Sequence, residues 1–492
     1  MGSPRRNGTI RALLLLGVIL MLVAAFARLL HLEADFPIQL TQSGAPMSDE
    51  GWHSNAAVRY WQFGYWYLPG DVNRAIMQPT FQLLQWITLG ALGVSLTTVR
   101  LSAVVLFLGL TVLMTSTIRT QSRLIGGMVA MALLTTDFHL FAYSRIALID
   151  LPMLFFVIAS LWLLMTMGSK HDLLGGILAG LAYSLALLTK PTALFAAPLL
   201  LLFAALGAEE LKTRLRRSLG FLGATVLSIG SQIAMGFVYF PQDMVDYFSL
   251  VSSKVEGDGP SYVDRAWTAI RIMGGRDLLL CVALILAAIF LLQHWKRNGL
   301  AGHRVSMFYL LATISFFAVI ASTHYQPVRY FVPFIALAIG VVSIATTLAI
   351  SRQRYFFAST LALLVTLHIG LGTYRIVDYL ARPKWSYNNF CEELKSDLEG
   401  GSSRLLLMGD MAPQVSIATG IEAVSGLVGT QPAAWRFQEY RPTHLITRSP
   451  FTERLIVAIE DLDSPELIKT YDVLENYYEG PVYLHAVTRE VD

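Results

Sequence analysis

Runs of about 20 apolar residues with almost no ionisable side chain recur along this chain. Ala12–Leu30, Leu101–Ile118 and Leu278–Leu292 are the cleanest. A bilayer core about 30 Å thick is crossed by a helix of about 20 residues at 1.5 Å per residue. Charged residues make up 14% of the 492 positions, against about 25% in an ordinary soluble domain. Too few charges remain to coat a water-facing surface of this size. The chain therefore reads as an α-helical polytopic membrane protein. Its start, with Arg5, Arg6 and Arg11 ahead of a long apolar run, has the look of a secretory signal, and Ala25-Phe26-Ala27 resembles a cleavage site. The run is longer than a signal's apolar core, so it reads as an uncleaved first helix.

The net charge of +3 is small, and nothing in it points to a nucleic-acid partner. Its distribution is the informative part. Basic residues in short loops stay on the cytoplasmic side. They cluster at Arg119/Arg123, Lys170/His171, Lys212–Arg217, Lys296/Arg297/Arg304 and Arg352/Arg354. Helices near 12–30, 99–118, 124–143, 151–168, 173–189, 192–207, 219–239, 277–293, 305–322, 331–350 and 355–374, about 11 spans, put every cluster on that side. A span at Gln78–Ser95 would invert all that follows. That segment reads instead as a juxtamembrane helix on the outer surface.

The outer face then carries a long loop, 31–98, several short turns, and everything after Arg375. This divides the chain into a transmembrane part, 1–375, and an extracytoplasmic part, 376–492. The tail is more polar and reads as a small α/β domain. Arg404–Met408 and His444–Thr447 have strand character, and Tyr471–Tyr478 with Val482–Val487 reads as a hairpin around Glu479-Gly480. Cys281 lies in an apolar block and Cys391 in the tail, so they are not expected to pair. No Cys/His cluster suggests a metal, and no cofactor is required, although a divalent ion remains compatible.

Polar chemistry gathers at the outer ends of the helices. Met47-Ser48-Asp49-Glu50-Gly51-Trp52-His53 sets two carboxylates beside the membrane, where desolvation is costly without partners. The aromatic residues from Tyr60 to Tyr67 that follow are ordinary interface anchors. Ser144–Asp150 brings a further acid and Arg145 to a turn between spans, where the two could simply pair. Thr189-Lys190-Pro191 and His324-Tyr325-Gln326-Pro327-Val328-Arg329-Tyr330 add cations at other outer ends. A Lys or Arg there often only snorkels. Acids and cations sharing one face also form a site for an anionic head group.

In order along residues 10–345, these motifs resemble the GT-C glycosyltransferases, in particular protein O-mannosyltransferases and lipid A aminoarabinose transferases. The matching pieces are Asp49-Glu50, Gln78-Pro79-Thr80, Val99-Arg100-Leu101-Ser102-Ala103, Ser144-Arg145…Asp150, Leu188-Thr189-Lys190-Pro191 and Arg329-Tyr330-Phe331…Pro333. The resemblance implies inverting transfer of a sugar from a polyprenyl-phosphate donor to an acceptor hydroxyl outside the cytoplasm, in a bacterial inner membrane. It implies that Asp49 is the general base, that Glu50 completes the acidic pair, and that Asp150 orients substrate. Lys190 and Arg329, with Arg145 as a third candidate, would hold the donor phosphate. His53, Gln78, His324 and Tyr325 are pocket candidates. One departure matters: relatives often carry His or Lys where Gln78 stands, so a phosphate-facing cation is missing unless Arg74 or His53 replaces it.

Two other readings compete. A lipid-linked-sugar transporter would place ionisable groups near mid-membrane, and Asp137 and His139 are the best such residues. A catalytically silent scaffold of the same fold draws its support from Gln78.

Overall fold

The computed structural model describes residues 4–37, 40, 49–71, 73–167, 171–206, 210–252, 260–299, 302–399, 405–426, 429–459, 465–473 and 481–487. The chain enters through α1 (Pro4–Leu29) and then forms three shorter helices, α2 (Asp49–Phe63), α3 (Arg74–Met77) and α4 (Pro79–Leu92). The bundle continues with α5 (Leu96–Thr136), α6 (Phe138–Tyr143), α7 (Asp150–Thr166), α8 (Asp172–Thr189), α9 (Ala197–Leu206) and α10 (Leu211–Tyr239). After α11 (Pro241–Ser252) and α12 (Tyr262–Arg276) come α13 (Leu278–Asn298), α14 (Arg304–Ser322), α15 (Val332–Ser351) and α16 (Tyr355–Ala381). Short 3₁₀ turns at Pro191–Ala196 and Val328–Phe331 lead into α9 and α15.

Among the described residues, eight helices are long and apolar enough to cross a membrane, and α7 and the Pro191–Leu206 segment are shorter apolar helices. The 41-residue α5 is two helices in disguise. Arg123 breaks it with φ 59°, and a Cβ on Gly127 would lie 3.1 Å from the Thr115 carbonyl oxygen. Residues 12 apart touch only if the chain has turned back. With α5 divided at Arg123, these helices correspond to the 11 expected spans. The protein is an integral membrane protein.

Burial explains the order of the bundle. Every residue from Val332 to Ala349 in α15 is buried, the pattern of a helix apolar on all sides that other helices surround. By contrast α1 and α10 expose rows of Leu, Val and Ile, as lipid-facing helices do. Helix α4 has only 14 residues and packs on α2 through polar contacts. The Ala57 amide donates to Gln82 Oε1 at 3.2 Å, and Gln85 Nε2 donates to Ser54 Oγ at 3.0 Å. It is a short helix seated on α2 and does not belong to the set long and apolar enough to span.

Helices α8 and α10 meet through glycine. A Cβ on Gly176 would lie 2.2 Å from the Arg217 carbonyl oxygen, and one on Gly180 would lie 2.4 Å from that of Phe221. The four-residue spacing puts both glycines on one face, so the backbones approach closely. Gly180→Val must force the helices apart. Its thermal midpoint in detergent is expected to fall by several degrees, an overpacking cost of about 1–3 kcal/mol. An unchanged midpoint would show that this contact contributes little.

Helix α16 runs unbroken to Ala381, so the polypeptide leaves the bundle a few residues later than Arg375. Beyond it are α17 (Ser386–Leu398), β1 (Leu406–Gly409), α18 (Ala412–Thr419), β2 (Glu422–Ser425), α19 (Ala433–Tyr440), β3 (His444–Arg448), α20 (Ser449–Ala458), β4 (Glu466–Tyr471) and β5 (Val482–Ala486). The sheet order is β2-β1-β3-β5-β4. Strand β1 pairs in parallel with β2 and β3, while β5 is antiparallel to β3 and β4. The strands expected near 404–408 and 444–447 are present. The expected closing hairpin differs: β5's partner is Glu466–Tyr471, upstream of the proposed arm, and 474–480 lies outside the described residues. Leu467 and Ile468 are exposed, and a bulge falls between Leu467 and Lys469. That interrupts the alternation by which a strand is recognised. Both cysteines are free.

This domain sits against the segment between α2 and α3. Tyr65 Oη donates to Glu422 Oε1 at 2.6 Å, and Asp71 forms an isolated bridge with Gly429. Asp71 is fully buried, pairs with Arg59, and lies 3.8 Å from Arg436 Nη1.

Candidate active site

Two carboxylates and two cations expected at outer helix ends come together as two ion pairs. Asp49 opens α2 and pairs with Arg329, which stands on the 3₁₀ turn before α15. Asp150 opens α7, and Lys190, the residue that ends α8, donates to its Oδ1 at 2.6 Å. Pro191 stops α8 immediately after the lysine, because proline cannot continue the helix. Both acids lie in a helix's first turn, where the helix dipole favours negative charge.

Tyr330 joins the two pairs. Lys190 Nζ lies 4.2 Å from its ring centroid and Arg329 Cζ 5.3 Å, so one aromatic ring is shared by two cations. Tyr325 lies 5.9 Å from Arg329 Cζ and meets Tyr330 edge-on at 6.0 Å.

A third cation completes the group. Arg74, on α3, faces Tyr330 and Tyr247, and burial pushes its guanidinium down from its ordinary pKa. Its buried Nε has no hydrogen-bond partner. Tyr247 on α11 hydrogen-bonds Gln78, and burial raises its phenol. Gln78 is itself buried, with its Oε1 unpartnered. Three cations therefore face two carboxylates here, with unsatisfied buried polar atoms on Arg74 and Gln78. A buried donor without a partner costs about 1–3 kcal/mol, which an anionic ligand would relieve at Arg74 Nε, while Gln78 Oε1 is an acceptor and calls for a donor such as a hydroxyl. Ala75 and Pro79, the residues that follow Arg74 and Gln78 in the chain, line an apolar cleft of about 350 Å³ with Leu83 and Trp86.

Other expected site residues have different surroundings. Glu50 is fully buried. It accepts from Arg100 Nε and Nη2, each at 3.0 Å, from the Ala147 amide at 2.8 Å and from Gln414 Nε2 at 2.8 Å. It ties α2 to α5, to the 144–150 turn and to α18, with its oxygens fully engaged. Arg145 does not join the cations. It donates to the carbonyls of Ala27, Arg28, Leu30 and His31 and so caps the end of α1. Arg145 and Asp150 have other partners, and the simple pair between them does not form. His53 is buried one turn after Asp49 on α2. His324 Nε2 lies 3.3 Å from Arg265 Nη1, which also donates to the Ser322 carbonyl at 2.9 Å. Tyr247 and Arg265 carried no signal in the sequence: each lies in a polar loop helix whose partners are 50 or more positions away.

Comparison with known proteins bears on the fold. A family model described as dolichyl-phosphate-mannose-protein mannosyltransferase matches residues 75–229. No curated protein matches in sequence. The structure resembles ArnT from Cupriavidus metallidurans bound to undecaprenyl phosphate, with a TM-score of 0.64 at 12% identity, over 97% of this chain and 98% of that one. The apo form of ArnT gives 0.60 at 12% identity over 98% of both chains. An Archaeoglobus fulgidus oligosaccharyltransferase in complex with Zn and sulfate gives 0.53 at 11% identity, over 89% of this chain and 69% of that one. The fold is that of the GT-C glycosyltransferases, as the ordered motifs suggested.

Proposed function

We propose that this protein transfers a sugar from a polyprenyl-phosphate donor to an acceptor hydroxyl on the extracytoplasmic side of a bacterial inner membrane, with inversion at the anomeric carbon. The observation that carries this reading is the pair of ion pairs, Asp49–Arg329 and Asp150–Lys190, meeting at Tyr330. They do so beside Arg74, whose chain neighbour Ala75 lines an apolar cleft. A donor of this class is an anion on a long hydrocarbon chain. It needs cations at the membrane edge and an apolar path leading from them.

The chemistry follows from the charges. When the donor phosphate takes up Arg329 and Lys190, Asp49 and Asp150 lose their partners. Asp49 then accepts the proton of the acceptor hydroxyl, whose oxygen attacks the anomeric carbon opposite the phosphate. The bond from that carbon to the phosphate oxygen breaks, and the phosphate leaves with the electron pair. Arg74, Lys190 and Arg329 stabilise the charge it gains. Asp150 orients the sugar. Arg74 supplies the cation that Gln78 does not. This route invokes no cofactor.

The test is transfer in proteoliposomes from a synthetic polyprenyl-phosphate sugar, together with mass spectrometry of lipid retained on purification. Lys190→Ala and Arg329→Ala are each expected to weaken donor binding about 10- to 100-fold, the worth of one charged hydrogen bond. Unaltered donor affinity in both would reject the phosphate role. A scaffold without activity would consume no donor and would co-purify with a partner protein.

A further inference from the structure

A polar cavity of about 180 Å³ lies where α6, α12, α13 and α16 meet, and it shares no residue with the ion pairs at Tyr330. Asp137, His139, Arg276, Asp277, His368 and Arg375 supply its polar lining. The two carboxylates are already engaged. Asp137 accepts from the Leu140 amide at 2.7 Å and Asp277 from the Leu280 amide at 3.1 Å, each capping a helix. His368 bridges them, with Nε2 3.1 Å from Asp137 Oδ2 and Nδ1 3.3 Å from Asp277 Oδ1. An imidazole that donates in both directions carries both protons and is a cation.

The two guanidiniums are not engaged. Neither Arg276 nor Arg375 forms an ion pair or hydrogen bond among the described residues, and both are half-buried. Both act electrostatically on His139, which is 2% exposed with an unpartnered Nε2. With His368 counted, three cations line the cavity against two carboxylates. The start of α13 adds to the positive side. Leu278 and Leu279, its first residues, line the cavity, and first-turn amides favour an anion. Gly274 and Gly275 keep the approach clear, because a Cβ on either would meet nothing within 4 Å.

The surroundings narrow the kind of anion. Arg276 stands two positions before the apolar span Leu278–Asn298, level with the edge of the hydrocarbon. Leu278 and Leu371 line the cavity and are exposed, and Val282 and Leu367 continue those exposed rows one turn deeper along α13 and α16. A phosphate carried on acyl chains fits both parts, its head beside the guanidiniums and its chains along the apolar rows. We propose that this cavity binds the phosphate of an anionic membrane phospholipid, with Arg276 and Arg375 holding its oxygens and α13 and α16 its chains. The bound lipid joins the α12–α13 corner to α16 and takes no part in the ion pairs at Tyr330.

The experiment is native mass spectrometry of the full chain released from nanodiscs of phosphatidylcholine mixed with phosphatidylglycerol. Phosphatidylglycerol retained in preference to phosphatidylcholine is expected. Arg276→Gln combined with Arg375→Gln should weaken that retention at least about 10-fold, the worth of a charged hydrogen bond. Gly275→Asp, which sets a carboxylate in the open space, should weaken it as well and serves if the double variant folds poorly. Lys190→Ala combined with Arg329→Ala should keep the lipid, which separates this site from donor binding; loss there instead would place the lipid at the ion pairs and overturn the proposal. A wild-type protein with no preference for phosphatidylglycerol would overturn it too. Retention unchanged in both the arginine and the Gly275 variants would do the same, leaving Arg276 and Arg375 as solvated residues at helix ends. Equimolar inorganic phosphate should not displace the lipid, having no chains to bury, and displacement would overturn the lipid assignment.

Discussion

Asp49→Asn is expected to reduce sugar transfer about 10²- to 10⁴-fold, the usual contribution of a positioned base, in a protein that still inserts and folds. The amide keeps the size of the carboxylate and loses its basicity. Donor affinity should hold or tighten, because Arg329 no longer has Asp49 as a competing partner. That split identifies the role. A residue that only anchored Arg329 would affect binding and turnover together, whereas a base affects turnover alone. Steady-state transfer and donor binding, measured on the same proteoliposomes, check it. Transfer at the wild-type rate would remove Asp49 from the chemistry and return the acid pair to a structural role.

What could be read from the chain depended on how far each residue's partners lie from it. The spans were legible because a run such as Leu278–Leu292 carries its own cause, the thickness of the hydrocarbon. Arg119 and Arg123 marked the reversal inside α5 through charge alone, even though the helical hydrogen bonding runs almost continuously across it. Asp49, Asp150, Lys190 and Arg329 were visible as charges at the ends of apolar runs, positions that confine them to one face. Which acid would meet which cation was not visible. The Asp49–Arg329 pair closes across most of the bundle, and Tyr330 between the pairs has no local signature. Arg145 shows the same limit in reverse. Beside Asp150 it looked like half of a pair or a phosphate ligand. Its four acceptors belong to the end of α1, more than 110 positions earlier. Strand β2, only Glu422–Ser425, is too short to show an alternation and exists because β1 pairs with it.

Glu50 separates a residue near the chemistry from one that builds the site. Glu50→Ala leaves Arg100, itself 4% exposed, as an uncompensated buried charge. Breaking such a pair costs about 3–5 kcal/mol. Two more donors, the Ala147 amide and Gln414 Nε2, lose their acceptor with it. The variant should unfold at markedly lower temperature and lose the docking of α18 on α2, seen as faster proteolysis of the C-terminal domain. Glu50→Leu combined with Arg100→Met removes both charges at once and should recover much of that stability, because apolar side chains can replace a buried pair at little net cost. If Glu50 acts only through this structure, the double variant regains transfer in proportion to its folding, with Asp49 still in place. A double variant that is fully folded yet inactive would show that Glu50 acts on substrate. The first outer loop would then hold two working carboxylates, as its sequence first implied.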